Sequence, residues 1–373
     1  MGDNVAEFVR TYLPRAPRTG RVCVSGATGF LGANVVQSLL STAAADLKLR
    51  EIVLFGLPGS NVDYLPPPGP TAAGVNIVHA FGDCTVAADV EAAVKGCDVV
   101  WHIAGDTSFW RRHYARQHRV NVGGAECVAR ACVKHRVKRL VHTSTIDTIG
   151  SDPSGGVVDE AWPEDKFNYP WYNYATTKRE GERRVLAYNG AGVAGPDGLE
   201  VVVLNPGSMI GPYDFTLQYG RLFFDLRDGE VPGSPSGGSS WAHVADVADA
   251  HVSAALRGRP GERYIVGGEN LSYKDLFGKI ATKMGGKAAP RLVLPCIILW
   301  LYGYIMEIVS WFTSKPPDMN PEQARYMSCF PRASSEKARK ELGYESRSLE
   351  TQIDDAYDWY KANGFMTKEK KEN

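Results

Sequence analysis

Val22-Cys23-Val24-Ser25-Gly26-Ala27-Thr28-Gly29-Phe30-Leu31-Gly32 is the stretch on which the fold turns. A short apolar run passes without a spacer into G-x-x-G-x-x-G, and an apolar-periodic helix, Leu31 to Leu40, follows at once. Glycine is required because the turn needs unusual backbone angles, because the backbone must approach a pyrophosphate, and because the helix must lie tight on the strand. The helix N-terminus then offers free N–H groups and the positive end of its dipole to the phosphates. Gly26, Thr28, Gly29, Phe30, Leu31 and Gly32 are therefore the expected dinucleotide-binding turn.

Working outward, apolar runs alternate with helical patterns. Val22 to Val24, Ile52 to Phe55, Ile77 to Ala80, Val99 to Ile103, Leu140 to Thr143, Val201 to Asn205 and Tyr264 to Val266 read as strands buried on both faces. Leu31 to Leu40, Val86 to Val94, Val120 to Val133 and Tyr174 to Tyr188 read as helices between them. The expected class is α/β, a Rossmann-type doubly wound parallel sheet with a smaller, mainly helical C-terminal substrate region. The expected division is an N-terminal extension over 1–19 and a nucleotide-binding domain over 20–206 with a return from about 241–267. A substrate region over 207–240 and 268–365 and a charged tail over 366–373 complete it. Leu57 to Gly74, with Pro66-Pro67-Pro68, reads as a polyproline-like loop, and Pro232 to Ser240 as a surface loop that acts as a flap over a pocket.

Composition agrees with a soluble globular chain. Its 373 residues are 44% hydrophobic and 23% charged, with 42 basic against 42 acidic residues, so no global charge draws it to nucleic acid. Thirty-nine Gly and 22 Pro make it loop-rich without low complexity. The seven cysteines form no C-x-x-C and no zinc-type cluster; no metal is expected, and most of them read as buried thiols in a reducing compartment. Met1 to Ala6 has no apolar core of the secretory type, and Ala6 stands where a myristoylation motif wants Ser or Thr.

Asp83, in Gly82-Asp83 after the third strand, can accept a hydrogen bond from an adenine amino group, against the plainer role of a helix cap. The end of the second strand, Leu54-Phe55-Gly56-Leu57-Pro58-Gly59-Ser60, carries neither the acid that bonds a ribose 2′-hydroxyl nor the Arg that accepts a 2′-phosphate. NAD and NADP both stay open, with a slight lean to NADP because no carboxylate repels the extra phosphate.

Thr143-Ser144-Thr145 ends the fifth strand, and Tyr174-Ala175-Thr176-Thr177-Lys178 opens a later helix. Y-x-x-x-K sets phenol and ammonium one turn apart on one face. A free Tyr, with a pKa of about 10, is a poor base, and a cation beside it favours the phenolate. Tyr174 is thus the expected proton carrier, Lys178 its electrostatic partner and holder of the nicotinamide ribose, and Thr145 the hydroxyl that positions the substrate oxygen.

Together these motifs resemble the extended short-chain dehydrogenase/reductase superfamily over roughly residues 20 to 365. His102-Ile103-Ala104-Gly105, Asn121-Val122-Gly123-Gly124, Asn205-Pro206-Gly207 and His243-Val244-Ala245-Asp246-Val247-Ala248 add to the likeness. The resemblance implies hydride transfer between nicotinamide and a carbinol or carbonyl carbon, adds Cys84, Ala104 and Pro206 to the cofactor-binding residues, and leaves Ser144 as runner-up to Thr145. Gly261 to Asn270 is similar to dihydroflavonol-reductase-like and hopanoid-associated epimerase-like members. Leu294 to Phe312 and Ser334 to Tyr344 are similar to 3β-hydroxysteroid and sterol-4α-carboxylate dehydrogenases. Gly105 replaces the second Ala of the usual H-x-A-A. Expected substrate-wall residues are Thr107, Phe109, Trp110, Trp171, Met209 and Tyr213, set against ordinary core packing; so many aromatics suit a sterol or flavonoid ring system. The rivals are a nucleotide-sugar epimerase or dehydratase using the same machinery, and a non-catalytic NAD(P)-binding scaffold.

Leu294 to Phe312 is 19 residues with one charge, Glu307. A bilayer span needs about 20, and Pro295, Gly303 and the carboxylate oppose one. A buried helix, an interfacial helix and a span all remain open, with Trp300, Tyr302, Tyr304 and Trp311 of the interface-favouring type. Lys370-Lys371-Glu372-Asn373 resembles endoplasmic reticulum retrieval signals on cytosolic tails. The expected setting is cytoplasmic, extending to the cytosolic face of that membrane, with a small-molecule substrate as partner, membrane-surface contact through 294–312, and a homodimer open to it.

Overall fold

The computed structural model describes residues 20–41, 47–192, 198–285, 290–313 and 315–366. Met1 to Ala6 and the Lys370-Lys371 ending lie outside the described residues. The first half runs β1 (Arg21–Ser25), α1 (Phe30–Leu40), β2 (Glu51–Gly56), a two-residue β3 (Gly69–Pro70), β4 (Asn76–Phe81), α2 (Ala87–Val94) and β5 (Val99–His102). Next, α3 (Tyr114–His118) passes through a π-helical turn, Arg119–Gly124, into α4 (Ala125–Lys134); β6 (Arg139–Thr143), α5 (Asn173–Leu186) and β7 (Glu200–Pro206) follow.

β1, β2, β4, β5, β6 and β7 lie in one sheet with β11 (Arg263–Val266), in the order β11-β7-β6-β5-β1-β2-β4-β3. All seven long strands pair in parallel, and only the short β3 is antiparallel. These are the seven strands read from the apolar runs. β1, β5, β6 and β7 are almost wholly buried because helices cover both faces, which is why their sequences do not alternate. One face packs on α1 and α7 (Val244–Arg257), the other on α2, α4 and α5. The strand order reverses between β1 and β5, and that crevice at their carboxyl ends is where a doubly wound sheet binds its ligand.

The remainder builds the second region. β8 (Ser208–Ile210), β10 (Gly238–His243) and β12 (Glu269–Ser272) form a small sheet, and β9 (Ser234–Pro235) pairs with β13 (Val293–Leu294). Pro232 to Ser240 is thus not a surface flap. Ser234, Ser239 and Ser240 are buried, and Gly237 lets the backbone pass where a Cβ would stand 2.1 Å from the Cys329 carbonyl. Around this sheet, α6 (Gly220–Asp228), α8 (Tyr273–Lys283) and α12 (Leu349–Ala362) share a core of Phe223, Trp241, Leu276, Ile353 and Tyr360.

α9 (Cys296–Thr313) is the apolar stretch, and it lies on the surface. Only Leu299, Gly303 and Ser310 are buried along it, while Phe312 is 86% exposed. The buried-helix reading therefore falls: α9 rests on one side against α10 (Pro321–Tyr326), Arg112 lies over the Trp311 ring near its end, and most of its length is exposed. α11 (Glu336–Leu342) packs back on α7.

Candidate active site

β1 delivers the chain to Gly26, whose φ of +81° suits glycine and whose Cβ would stand 2.6 Å from the Ala104 nitrogen after β5. A Cβ on Gly32 would stand 2.0 Å from the Gly26 oxygen, so α1 is pressed onto the turn by the lack of a side chain. Gly29 caps α1 without a side-chain hydrogen bond, and the first turn carries no acid. The N–H groups there consequently face the crevice unneutralised, an anion site of the kind a pyrophosphate needs. Tyr64, from the proline-rich loop, donates its hydroxyl to the Thr28 carbonyl and pins the turn from above.

Beyond β4, Asp83 Oδ1 accepts from the Thr85 amide at 2.8 Å and its hydroxyl at 2.9 Å, so this side chain closes a turn while also bordering the crevice. Burial pushes the Cys84 thiol up to about 12. α5 begins at Asn173, which sets Tyr174 and Lys178 on its first two turns, facing the end of β6. Lys178 is buried and donates to the Thr143 carbonyl at 2.6 Å; burial pulls its pKa down to about 8.

The Tyr174 phenol behaves differently from the sequence expectation. Burial and the negative charge of Asp147 push it up, and a hydrogen bond with Thr145 works against them. The ammonium that was to lower it is turned to Thr143 instead. Ser144 donates to Glu182 Oε2, which also accepts from Thr148 at 2.9 Å and Asn205 at 3.0 Å, so the runner-up hydroxyl is engaged in tying β6, β7 and α5 together.

A cavity of about 630 Å³ joins these parts. The whole glycine turn lines it, with Asp83, Cys84 and Ala104; so do Thr145, Tyr174 and Lys178, and Pro206, Thr107 and Met209 at the other end. The remaining expected wall residues stand outside this lining. Phe109 stacks on Tyr172 with ring centroids 5.3 Å apart, Trp171 stacks on the same ring at 5.9 Å, and Trp110 meets His113 edge-on. Tyr213 packs with Phe215 and Trp359 of α12. Sequence reading missed Arg116 of α3 and Arg119 at the start of the π-helical turn, both of which line the cavity, and Gln218, from the segment before α6. It also missed Asp147, just behind Thr145, and Tyr326, which donates to it. Arg119 on a helix reads as a solvated charge, and nothing near Tyr326 in sequence marks it.

The model of the 3-beta hydroxysteroid dehydrogenase/isomerase family matches residues 23–269. The chain belongs to that family. Members are NAD(P)-dependent enzymes acting on carbinol groups, and this chain is such an oxidoreductase, of short-chain dehydrogenase/reductase type with a small-molecule substrate. It is 27% identical to sterol demethylase protein B of Methylococcus capsulatus, covering 92% of this chain and 99% of that one. It is 26% identical to a putative dihydroflavonol 4-reductase of Synechocystis, covering 92% and 95%. Among solved structures, that of gox2253 superposes with a TM-score of 0.75 at 27% identity, over 94% of this chain and all of that one. The family's nicotinamide group supplies the hydride acceptor or donor. The uncapped α1 terminus and the glycines that no Cβ could replace fit its pyrophosphate, and Lys178 and Tyr174 border the same cavity.

Proposed function

We propose that this family member interconverts a secondary alcohol and its ketone on a rigid apolar ring skeleton, 3β-hydroxysteroid-like or dihydroflavonol-like. The supporting observation is that Thr145, Tyr174 and Lys178 border one cavity with the glycine turn, beside an aromatic cluster of Phe109, Tyr172 and Tyr326. Thr145 and Tyr174 hold the substrate oxygen, Tyr174 moves its proton, and Lys178 fixes the ribose. Thr107 and Met209 flank the reacting carbon, and the Phe109 and Trp171 rings back the wall. NADP is the preferred form, supported by the absence of an acid over Leu57 to Ser60 and by Arg116 and Arg119 bordering the same cavity.

The test is a screen of sterols, flavonoids and nucleotide sugars with NAD(H) and NADP(H), read by nicotinamide absorbance. A ring alcohol that drives a net change supports the reading. Turnover of a nucleotide sugar without net absorbance change replaces it with an epimerase, in which the hydride returns to the substrate.

The exposed face of α9 is proposed to rest on a membrane surface, on the cytosolic side of the endoplasmic reticulum. Support comes from the exposure of Ile297, Leu301, Ile305 and Ile308 together with Trp300 and Trp311 on one helix. Aromatic residues of this type favour the lipid–water interface. Flotation with phosphatidylcholine vesicles should recover the protein, and an Ile305→Asp/Ile308→Asp double variant should stay at the bottom. A homodimer that hides the same face is the competing outcome, read by sedimentation.

A further inference from the structure

Asp147 is a buried carboxyl that the roles above do not use, only 4% exposed. Its amide N–H donates to Thr145 Oγ1 at 3.3 Å, and its Oδ2 accepts from the same hydroxyl at 3.2 Å. Its Oδ1 accepts from Tyr326 Oη at 3.0 Å, reaching in from α10. Tyr174 and Thr145 border one cavity and interact there, and the Thr145 hydroxyl donates in turn to Asp147, so the phenol, the threonine hydroxyl and the carboxylate stand in series. Burying a carboxyl in an aromatic shell is expensive without a use.

We propose that Asp147 takes up the proton that leaves the substrate hydroxyl, passed on through Tyr174 and Thr145, and that Tyr326 holds it in position to do so. The inference rests on the reading that Tyr174 and Thr145 face the reacting oxygen. In the oxidising direction the substrate C–H bond gives its hydrogen with both electrons to the nicotinamide. The substrate O–H proton passes to Tyr174 Oη, the phenol's own proton to Thr145 Oγ1, and the threonine proton to Asp147 Oδ2. Each O–H bond that breaks is matched by one that forms, and the net change in the protein is a carboxylate becoming a carboxylic acid, which loses its proton to water before the next turnover. Reduction runs the same line backwards. The phenol begins and ends neutral, so its raised pKa is no obstacle. Asp147 touches neither substrate nor cofactor and is a positioning residue.

The titratable groups around Asp147 are the phenols of Tyr169, Tyr172, Tyr174, Tyr219, Tyr273 and Tyr326 and the thiol of Cys329. Burial pushes all of them up. They stay neutral near pH 7, whereas burial lifts the Asp147 carboxyl only to about 6 against the hydrogen bonds from Tyr326 and Thr145. Asp147 is therefore the group in this cluster that titrates.

Asp147→Asn tests the relay. Cofactor affinity should be retained, kcat for oxidation should fall about 10²-fold, and the rise of kcat with pH through the Asp147 titration should vanish. Tyr326→Phe, which removes one hydrogen bond from the carboxylate, should move that rise to higher pH. Infrared spectra of the cofactor-free protein should show a carboxylic-acid C=O band that titrates in the wild type, is missing in Asp147→Asn and titrates at higher pH in Tyr326→Phe. An Asp147→Asn enzyme with wild-type kcat and pH profile overturns the relay and leaves Tyr174 in its role. If Asp147→Asn does not fold, an unmoved profile in Tyr326→Phe overturns it. Tyr174→Phe with full turnover instead removes the reading on which the relay stands.

Discussion

Tyr174 is where the chemistry concentrates. Tyr174→Phe removes the oxygen that meets the substrate and leaves the glycine turn untouched; turnover should drop about 10²- to 10⁴-fold with NAD(P)H affinity by fluorescence unchanged. Asp147 yields a prediction about stability with a definite sign. Its pKa rises from 3.8 unfolded to about 6 folded, so the folded state binds more protons between those values. Stability associated with this group is complete below the unfolded value and is lost as pH rises through the folded one. Asp147→Asn should accordingly stabilise the protein at pH 8, by up to roughly 3 kcal/mol at ~1.4 kcal/mol for each pH unit between the two values. The gain should disappear below about pH 4. Thermal unfolding of both proteins at the two pH values reads it, and a variant less stable than wild type at pH 8 contradicts the buried-charge account.

At the scale of elements, the N-terminus of α1 and the seat of α9 each make a claim. Gly29 has φ −89° and ψ 170°, angles any residue adopts. An Asp there is a good helix cap, worth a few tenths of a kcal/mol to α1 over Gly, yet it puts negative charge in the phosphate crevice. Gly29→Asp should hold or raise the melting temperature while weakening NAD(P)H binding at least about tenfold; unimpaired affinity in titration would place the pyrophosphate elsewhere. Gly303 seats α9 on α10, for a Cβ would stand 2.7 Å from the Asn320 carbonyl carbon and 2.8 Å from the Pro321 nitrogen. Gly303→Val should destabilise by about 1–3 kcal/mol. Asn320 also donates to the Phe109 carbonyl at 2.7 Å, so the same variant should disturb the aromatic wall and raise KM.

For the whole molecule, the question is how two regions share one cavity. Asp214 accepts from the amides of Gln218, Tyr219 and Gly220, and its Oδ2 also accepts from Tyr360 of α12 at 2.8 Å. That carboxylate ties the segment carrying Gln218, a cavity residue, to the last helix. Deleting residues 349–366 should remove Leu349, Ile353 and Tyr360 from the second core and abolish both cooperative unfolding of that region and cofactor-dependent turnover. In the intact chain, NADPH at about 100 times its Kd should add about 2.7 kcal/mol of stability, an increment that a tenfold loss of affinity in Gly29→Asp should cut to about 1.4 kcal/mol at the same concentration.

Seven strands and the phosphate turn were legible in the chain because their signals are local: an apolar run buried on both faces, and glycines packed against backbone. The helix face that Tyr174 and Lys178 share was legible from their spacing, read together with the glycine turn and the Thr/Ser strand end before it. Other features depend on contacts between residues far apart in sequence. The Gly-rich stretch at 232–240 looks like a loop until Cys329 and Leu271 are laid against it, because nothing local distinguishes a flexible glycine from one crowded by a neighbour. α9 has the composition of a core helix, yet it lies on the surface, seated through its Gly303 side on α10. The proton environment of Tyr174 was settled by Thr143, Asp147 and the distant Tyr326, since a pKa depends on distance through space and on water excluded, quantities that chain order does not carry.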